Sequence, residues 1–322
     1  MAMKNKKIFK TIDLFAGIGG VRLGFESIGG YKTVFANDFD KYCKVTYDLN
    51  FNDTKLDTTD IRNLQSEDLP EYDILLGGFP CQAFSIAGYR KGFKDEKGRG
   101  NLFFEIDRII KDTKPLAFFL ENVKNLENHD SGRTFKIIKE RLSELGYYLK
   151  YSVLNSANYG NLPQNRERVY IVGFKSKKSF DAFEFPKPIE RNKTIKDILD
   201  IEVDKKYHYN DKPLFEKIKN DVLEENTAYQ WRRKYVRANK NNLFPTLTAN
   251  MGMGGHNVPI IKQKSILRKI TPIECSRIQG FSSEFKLPSI ADTQLYKQFG
   301  NSVSVPVIRR IAENLYKALT IE

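Results

Sequence analysis

Between residue 8 and about residue 175, short apolar runs alternate with longer amphipathic segments. The runs with the length of β-strands are 8–15, 32–36, 74–76, 116–120, 147–154 and 169–174. The segments that place apolar residues at helical spacing are 40–50, 102–110 and 133–145. Strands that alternate with helices pack as a doubly wound sheet with helices on both faces. We therefore expect an α/β domain.

The pattern changes near residue 185. Residues 185–188 read Phe-Pro-Lys-Pro, which is typical of a linker, and the signals that follow are short, mixed and rich in basic and polar residues. A helical pattern returns over 296–319. We predict a larger domain built from 1–185 and 293–322, and a smaller domain over 186–292.

The composition narrows the class of protein. Of the 322 residues, 40% are hydrophobic, so the chain can bury a sizeable core. No apolar run is long enough to cross a bilayer, and no signal-peptide pattern follows the basic N-terminus. The net charge of +13 fits either a solvated lysine-rich surface or attraction to a polyanion.

The cysteines and histidines are scattered along the chain. The three cysteines, Cys43, Cys81 and Cys275, are odd in number and far apart, so they indicate no disulfide framework and favour a reducing cytoplasm. The three histidines are equally dispersed, and no group has the spacing of metal ligands. We expect no metal site.

A glycine-rich turn, Phe15-Ala16-Gly17-Ile18-Gly19-Gly20, follows the first predicted strand and opens a helix. Glycines let the backbone approach a ligand, and a helix N-terminus favours an electronegative group. Asp38 follows the next strand, where such folds bind a ribose hydroxyl. The spacing is not the G-x-G-x-x-G of dinucleotide enzymes, because the next glycine is Gly24. Taken alone, the turn also fits an ordinary strand-to-helix connection.

Cys81 follows the strand 74–76 and the segment Gly77-Gly78-Phe79-Pro80. A lone cysteine is more often a small buried hydrophobe. Here the position favours a functional role, because ligands of open α/β sheets bind outside the carboxyl ends of strands. A thiolate held there behind Pro80 can act as a nucleophile.

Polar residues mark two further strand boundaries. Glu121 and Asn122 end the most hydrophobic predicted strand, where they fit either a helix cap or a carboxyl group placed to move a proton. Residues 164–168, Gln-Asn-Arg-Glu-Arg, precede the strand 169–174. Charge clusters of this kind are usually solvated loops, but Arg168 directly precedes the apolar run and can point into the same cleft.

Taken in order, these segments resemble the C5-cytosine DNA methyltransferase family, most closely its short bacterial modification enzymes. The motifs that carry the similarity are 13–20, 78–85, 121–123, 158–160, 164–168 and 298–302. Six ordered motifs are far more specific than any one of them. The resemblance implies a Rossmann-like catalytic domain that uses S-adenosylmethionine, with a smaller target-recognition domain. It also implies a monomeric bacterial cytoplasmic enzyme that acts on double-stranded DNA without an obligate protein partner. A cognate restriction endonuclease would act separately.

The resemblance assigns chemistry to these residues. Cys81 adds to carbon 6 of cytosine, which makes carbon 5 nucleophilic toward the methyl group. A protonated Glu121 hydrogen-bonds at ring N3, Arg168 binds the exocyclic oxygen, and Arg166 is a secondary candidate. The cytosine must leave the duplex to be reached. Residues 86–101, rich in glycine and basic residues, form a predicted lid.

The resemblance also implies two sets of binding residues. The cofactor-binding set is Phe15, Gly17, Ile18, Gly19, Asp38, Phe39, Asp60, Ile61, Pro80, Asn301 and Ser302, with Asp38 at the ribose and Asp60 at the adenine amino group. The family more often has glutamate at position 38 and tryptophan at position 39, so cofactor affinity is expected to be weaker. The DNA-binding set is Gln82, Ser85, Arg90, Lys91, Arg99, Arg232, Arg233, Arg237 and Thr248.

Three alternative functions are an RNA-modifying enzyme, a DNA-binding protein without activity, and an oxidoreductase. A tRNA methyltransferase of the same family has a different pattern after its Pro-Cys pair, whereas residues 82–85 here read Gln-Ala-Phe-Ser. A non-catalytic DNA-binding relative need not retain Cys81, Glu121 and Arg168 together. A nicotinamide-dependent oxidoreductase disagrees with the glycine spacing and with Pro80-Cys81, although the fold alone does not exclude it.

Overall fold

The computed structural model describes residues 7–80, 102–232, 234–253 and 257–321. The chain divides into two compact units. The first unit comprises Met1–Leu154, Glu167–Pro186 and Arg309–Glu322, and the second comprises Asn155–Arg166 and Lys187–Ile308.

The described chain contains the following strands and helices. The strands are β1 (Phe9–Leu14), β2 (Tyr31–Asn37), β3 (Leu56–Asp57), β4 (Ile74–Gly77), β5 (Ala117–Val123), β6 (Tyr148–Asn155), β7 (Gln164–Asn165), β8 (Glu167–Phe174), β9 (Ala228–Trp231), β10 (Val236–Asn239), β11 (Phe244–Pro245), β12 (Ile260–Gln263) and β13 (Ile266–Lys269). The helices are α1 (Gly20–Glu26), α2 (Lys41–Asn50), α3 (Leu102–Thr113), α4 (Arg133–Glu144), α5 (Ser156–Gly160), α6 (Lys177–Ala182), α7 (Phe215–Ile218), α8 (Pro272–Gln279), α9 (Asp292–Asn301) and α10 (Val305–Leu319).

The sheet of the first unit is built from seven strands of the described chain, in the order β3-β2-β1-β4-β5-β8-β6. The neighbouring strands from β3 to β5 pair in parallel, whereas β8 runs antiparallel to β5. Because β1 lies between β2 and β4, the strand order reverses at β1, as it does in doubly wound sheets. The predicted α/β fold is confirmed.

Helices cover both faces of this sheet around β5, whose residues from Ala117 to Leu120 are fully buried. On one face, α3 and α4 contribute apolar side chains three or four residues apart, namely Phe103, Ile106, Ile110, Phe135, Ile138 and Leu142. On the other face, the rings of Phe25 in α1 and Phe119 in β5 lie 5.3 Å apart, centroid to centroid. Complete burial of each such side chain contributes about 1.5–3 kcal/mol to folding.

The second unit has a four-stranded antiparallel sheet in the order β10-β9-β12-β13 and a short parallel pair, β7 with β11. A small apolar cluster includes Ile218, Tyr229, Ile260 and Leu267.

The helical pattern predicted over 296–319 is interrupted in the structure. It contains the end of α9 and all of α10, and residues 302–304 between them are not helical. Pro306 has no N–H group to donate to the carbonyl of Ser302, so a continuous helix would lose a hydrogen bond there. Proline is tolerated instead in the first turn of α10.

Candidate active site

The predicted site residues of the first unit follow strands that end at one edge of the sheet. The strands β1, β2, β4 and β5 are parallel, so their carboxyl ends lie at the same edge. β8 is antiparallel and therefore begins at that edge, with Arg168 opposite Val123. This topology brings the glycine-rich turn, Asp38, Pro80, Glu121 and Arg168 to the same side of the sheet.

Glu121 and Arg168 form an ion pair at this edge. The guanidinium Nε of Arg168 lies 3.1 Å from Oε1 of Glu121, and both side chains are nearly buried. Oε1 of Glu121 has no hydrogen-bond partner of good geometry among the described residues. A second nitrogen of Arg168 donates to the carbonyl oxygen of Glu167 over 2.8 Å, which fixes the orientation of the guanidinium.

Asn122 connects the end of β5 to the segment that follows β4. Its amide Nδ2 donates to the carbonyl oxygen of Phe79 over 2.8 Å, and its Oδ1 accepts from the N–H group of Val123 over 2.8 Å. The side chain is buried. The sequence suggested a helix cap at this position, whereas the contact with Phe79 depends on how two distant strands pair.

Several predicted residues lie outside the described part of the chain. Among the catalytic and DNA-binding candidates these are Cys81, Gln82, Ser85, Arg90, Lys91, Arg99 and Arg233. The predicted lid over 86–101 also lies outside it. The described segment 7–80 ends at Pro80, directly before Cys81. Pro80 itself is exposed.

The glycine-rich turn is shaped by three residues with positive φ, namely Phe15, Gly17 and Gly19. A Cβ at Gly17 would meet no atom of the described residues within 4 Å, so among them the backbone there borders open space. At Gly19 a Cβ would overlap the ring of Phe51. The two glycines therefore serve different purposes, since Gly17 leaves room beside the turn and Gly19 allows close packing beneath it. Ile18 between them is buried.

Asp38 holds the turn in place through its carboxylate. Oδ2 accepts from the N–H group of Gly17 and Oδ1 accepts from that of Asp40, each over 2.9 Å. Phe39 beside it exposes 71% of its surface, which is unusual for a large apolar side chain next to a structured turn. The sequence predicts a ligand contact at Asp38 but gives no sign of its contact with Gly17.

The carboxylate of Asp60 is engaged by Arg62. Oδ1 accepts from Nε of Arg62 over 2.9 Å, and Oδ2 accepts from a second guanidinium nitrogen. The hydrogen bond from Arg62 lowers the pKa of Asp60. Ile61 between them is buried. Any ligand group that bonds to Asp60 must share this carboxylate with Arg62.

Asp13, the first residue of the motif 13–20, is a buried carboxyl for which the sequence predicts no role. It is fully buried, and neither oxygen has a hydrogen-bond partner of good geometry among the described residues. Burial raises the pKa of Asp13 to about 8, although the charge of Arg22 opposes the shift. Such a group stays neutral at low pH at a cost that grows as the pH rises.

Arg22 is itself buried but has several partners. Its guanidinium contacts Glu26 at 3.0 Å, Tyr47 at 3.0 Å and Asp53 at 2.6 Å, and lies 4.2 Å from the centre of the Phe51 ring. A buried cation needs compensation of this kind. The cluster braces the helix α1 that follows the turn.

In the second unit, Arg166 is buried and its guanidinium donates to backbone carbonyls. The acceptors are Leu247, at 2.9 Å, Gly300, at 3.4 Å, and Ser302. Ser302 is buried with its Oγ lacking a partner among the described residues, whereas Asn301 is exposed. The contacts of Arg166 favour a role in positioning the backbone over contact with a substrate.

The other described DNA-binding candidates are exposed on the second unit. Arg232 follows β9 and donates to the side chain of Gln230 over 3.2 Å, and Arg237 lies in the paired strand β10. The hydroxyl of Thr248 donates to Oδ1 of Asn250 over 2.6 Å. These charged and polar groups are accessible to a large ligand.

Among the described residues, no group of three or more histidine, cysteine, aspartate or glutamate side chains could hold a metal ion. No described helix has the length and apolar character that a membrane crossing requires.

Comparison with known proteins identifies the class of enzyme. A sequence model of the family described as C-5 cytosine-specific DNA methylase matches residues 9–317. The chain belongs to this family. The chain is 54% identical to the type II methyltransferase M.Bsp6I of Bacillus sp. (strain RFL6), across 97% of this chain and 100% of that protein. It is 46% identical to the type II methyltransferase M.SsoII of Shigella sonnei, across 97% of this chain and 81% of that protein.

Solved structures agree on the fold of this methyltransferase. The crystal structure of the S. pombe Dnmt2 methyltransferase superimposes with a TM-score of 0.75 at 20% identity, over 98% of this chain and 100% of that one. The predicted family and enzyme class are therefore confirmed, and a nicotinamide-dependent oxidoreductase is excluded.

Proposed function

We propose that this methyltransferase modifies carbon 5 of one cytosine within a short duplex DNA sequence, as the modification enzyme of a restriction–modification system. The observation that carries the proposal is the 3.1 Å contact between Arg168 and Glu121, at the sheet edge where β4 leads to Pro80 and Cys81. Cytosine presents ring N3 and its exocyclic oxygen on one edge. In the free enzyme Glu121 is paired with Arg168; in the complex with cytosine, a carboxyl group that carries a proton, beside a guanidinium, matches that pair of acceptors.

Carbon 5 of cytosine is a weak nucleophile, so the ring must be activated before methyl transfer. The thiolate of Cys81 bonds to carbon 6, and the displaced electron pair makes carbon 5 nucleophilic. Protonated Glu121 donates at N3 while Arg168 donates to the exocyclic oxygen, which stabilises negative charge on the ring. After transfer, a base removes the proton from carbon 5, and the returning electron pair expels Cys81. The role of Cys81 rests on the family pattern and on its place in the chain.

We assign the methyl donor as S-adenosylmethionine, which supplies an electrophilic methyl group on sulfur and leaves as S-adenosyl-L-homocysteine. The open space beside Gly17 and the exposed ring of Phe39 support this assignment, because a nucleoside needs room at the turn and an aromatic face. Asp38 accepts hydrogen bonds from the backbone N–H groups of Gly17 and Asp40, which holds its carboxylate beside the turn, and a carboxylate is an acceptor suited to ribose hydroxyls. The remaining cofactor residues proposed from the family pattern are Phe15, Ile18, Gly19, Asp60, Ile61, Pro80, Asn301 and Ser302.

We assign target recognition to residues 186–292 and catalysis to 1–185 with 293–322. The exposed arginines Arg232 and Arg237 support the first assignment, because guanidinium groups read guanine edges and bind phosphates. The net charge of +13 favours association with DNA at a rate that falls with salt. We expect the enzyme to act in the bacterial cytoplasm as a monomer, with any cognate endonuclease acting separately.

The proposed function is tested by mapping 5-methylcytosine across the genome of a host that lacks cytosine methylation and expresses this chain. We expect methylation at one short motif, and none in a strain that expresses Cys81→Ser. That result also supplies the recognition sequence. An unmethylated genome, from a soluble protein that binds S-adenosylhomocysteine, contradicts the proposal. Methyl transfer to tRNA but not to duplex DNA in vitro would instead indicate the RNA enzyme.

A further inference from the structure

A buried network of side chains in the second unit holds pieces of backbone that are far apart in sequence. We call it the carbonyl hub and define it by Gln164, Arg166 and Gln279, all of which are buried. Nε2 of Gln164 donates to Oε1 of Gln279 over 3.1 Å, so the amides of the hub contact each other directly. Buried polar groups that are paired in this way favour one arrangement of the chain over others.

The first segment held by the hub is the one that contains Leu247 and Thr248. The carbonyl of Leu247 accepts from Arg166 over 2.9 Å, and its N–H group donates to Oε1 of Gln164 over 3.1 Å. Leu247 is therefore fixed at both its polar backbone groups. Thr248 follows immediately and is exposed, so the bonds at Leu247 fix the backbone that leads into it.

The second segment is the end of α9. The guanidinium of Arg166 donates to the carbonyls of Gly300 and Ser302, and Nε2 of Gln279 donates to the carbonyl of Phe299 over 2.8 Å. These are carbonyls at a helix C-terminus, which have no partner within the helix and must find one elsewhere. The side chains of the carbonyl hub supply the hydrogen-bond donors for these carbonyls.

The two segments also touch without any side chain between them. A Cβ at Gly300 would overlap the carbonyl group of Thr248, so the backbone of α9 packs directly against the backbone at Thr248. Neither segment can move toward the other, and the shared donors of Arg166 resist their separation. A displacement at Thr248 is therefore transmitted to residues 300–302.

We propose that Arg166 is a positioning residue through which DNA binding and cofactor binding strengthen each other. This inference rests on the proposed function, in which Thr248 contacts DNA and Asn301 and Ser302 contact the cofactor. Arg166 holds both segments in one geometry, so a ligand that orders one segment prepares the other. Coupling of this kind is reciprocal, and typical values change the affinity by about 5- to 150-fold.

The test is the dissociation constant of S-adenosylhomocysteine, measured by calorimetry on the full chain with and without a saturating duplex that contains the target motif. In the wild type we expect the duplex to tighten cofactor binding within the range given above. The quantity compared is the ratio of the dissociation constant without duplex to that with duplex. Arg166→Met keeps most of the side-chain volume but removes the donors, and we expect this ratio to fall to near 1. Arg166→Lys should give an intermediate ratio.

Arg277→Met is the matched control. Arg277 lies in the same unit and donates to the carbonyl of Ile198 over 3.0 Å and to Asp200 over 2.7 Å, but contacts neither segment. We expect it to keep the wild-type ratio. If Arg166→Met fails to fold, Gln279→Met, which removes the donor to Phe299, takes its place.

Three results would overturn the inference: a wild-type ratio near 1, a wild-type ratio retained in the folded hub variants, or an equal loss in Arg277→Met. In each of these cases methylation by the wild type would leave the proposed function standing. A wild type that binds neither ligand would contradict the proposed function itself.

Discussion

The side-chain amide of Asn122 donates to the carbonyl oxygen of Phe79 over 2.8 Å, so the end of β5 fixes the chain two residues before Cys81. The bond is buried and joins residues 43 positions apart. Because a nucleophile must be held close to its ideal geometry, the placement of Cys81 depends on a neighbour that takes no part in the chemistry.

We expect Asn122→Ala to lower kcat about tenfold or more, since misplacement by about 1 Å can cost a hundredfold. The carbonyl of Phe79 would also lose its donor, which costs about 1–3 kcal/mol of stability. Single-turnover methylation and urea unfolding measure the two effects. Asn128→Ala, at an exposed position five residues beyond the end of β5, serves as the control and should behave as wild type. A wild-type kcat in Asn122→Ala would show that the bond does not position the nucleophile.

The pair formed by Glu121 and Arg168 should be indispensable for methyl transfer. We expect Glu121→Gln and Arg168→Ala each to lower kcat by about 10²–10³-fold, the usual cost of removing a group that stabilises charge in the transition state. Cofactor affinity should change little in either variant. Steady-state methylation with a duplex substrate provides the measurement.

A second ion pair between the same two strand regions offers the control. Nζ of Lys124 lies 3.0 Å from the carboxylate of Glu167, and both side chains are about half exposed. Exposed pairs contribute only about 0–1 kcal/mol, so Lys124→Ala should retain activity within about twofold. Equal losses in Lys124→Ala and Arg168→Ala would mean that any break in this region disturbs the fold, and the proposed chemistry would lose its support.

The buried carboxyl of Asp13 makes the free energy of unfolding depend on pH, and its contribution falls as the pH rises. The carboxyl titrates near 3.8 in the unfolded chain and at about 8 in the folded protein. Between these values only the unfolded chain releases the proton, so the stabilisation present below pH 3.8 is lost progressively as the pH rises toward 8. An asparagine side chain at this position cannot ionise in either state.

We therefore expect the difference in free energy of unfolding, Asp13→Asn minus wild type, to increase between pH 5 and pH 8. The slope has an upper limit of about 1.4 kcal/mol per pH unit. Urea unfolding followed by circular dichroism at several pH values provides the data. A difference that does not vary with pH would contradict the assignment of a neutral buried carboxyl.

Alanine substitutions at Gly19 and Gly146 distinguish the cost of a strained backbone from the cost of steric overlap. Their φ angles are 84° and 85°, but a Cβ at Gly146 meets no atom within 4 Å in the part of the chain that the structure describes, whereas one at Gly19 overlaps Phe51. Gly146→Ala should cost about 1–2 kcal/mol for the left-handed backbone alone. Gly19→Ala should cost more and should weaken S-adenosylhomocysteine binding, because Phe51 packs under the turn. Equal costs and unchanged binding would indicate that the turn absorbs the extra atom.

Arg62 should compete with the cofactor for Asp60. Both carboxylate oxygens of Asp60 accept from Arg62, so an adenine amino group must share them. We expect Arg62→Gln to tighten S-adenosylhomocysteine binding by up to about fivefold, which corresponds to the 0–1 kcal/mol of an exposed ion pair. Calorimetry measures the effect. Weaker binding in this variant would mean that Arg62 supports the ligand rather than competing with it.

The strands and helices of the first unit could be predicted from the sequence, because the spacing of apolar residues that indicates them is a local feature of the chain. The run 116–120 predicted β5, which spans Ala117–Val123, and the helix predicted over 133–145 spans Arg133–Glu144. The break at 302–304 was not predicted, because the helix predicted over 296–319 rested on the spacing of apolar residues, which does not register that Pro306 prevents a continuous helix.

The candidate active site could be predicted only in part, because many of its contacts join residues that are far apart in sequence. Glu121 and Arg168 flank apolar runs, and a sheet brings such ends together. Nothing in the sequence indicates that Asn122 reaches Phe79, that Asp13 lacks a partner among the described residues, or that Arg166 turns toward backbone. Hydrophobic periodicity does not reveal which distant groups a polar side chain will meet.

The antiparallel register of β5 and β8 determines which changes in length the enzyme can accept. Val123 lies opposite Arg168, which sets Arg168 diagonally across from Glu121 on the same face. Deleting one residue within β8 would move Glu167 into the place of Arg168 and set two carboxylates together. Residues inserted in the connection after β5 leave this register intact. The catalytic pair can therefore persist while the chain between its members lengthens or shortens during evolution.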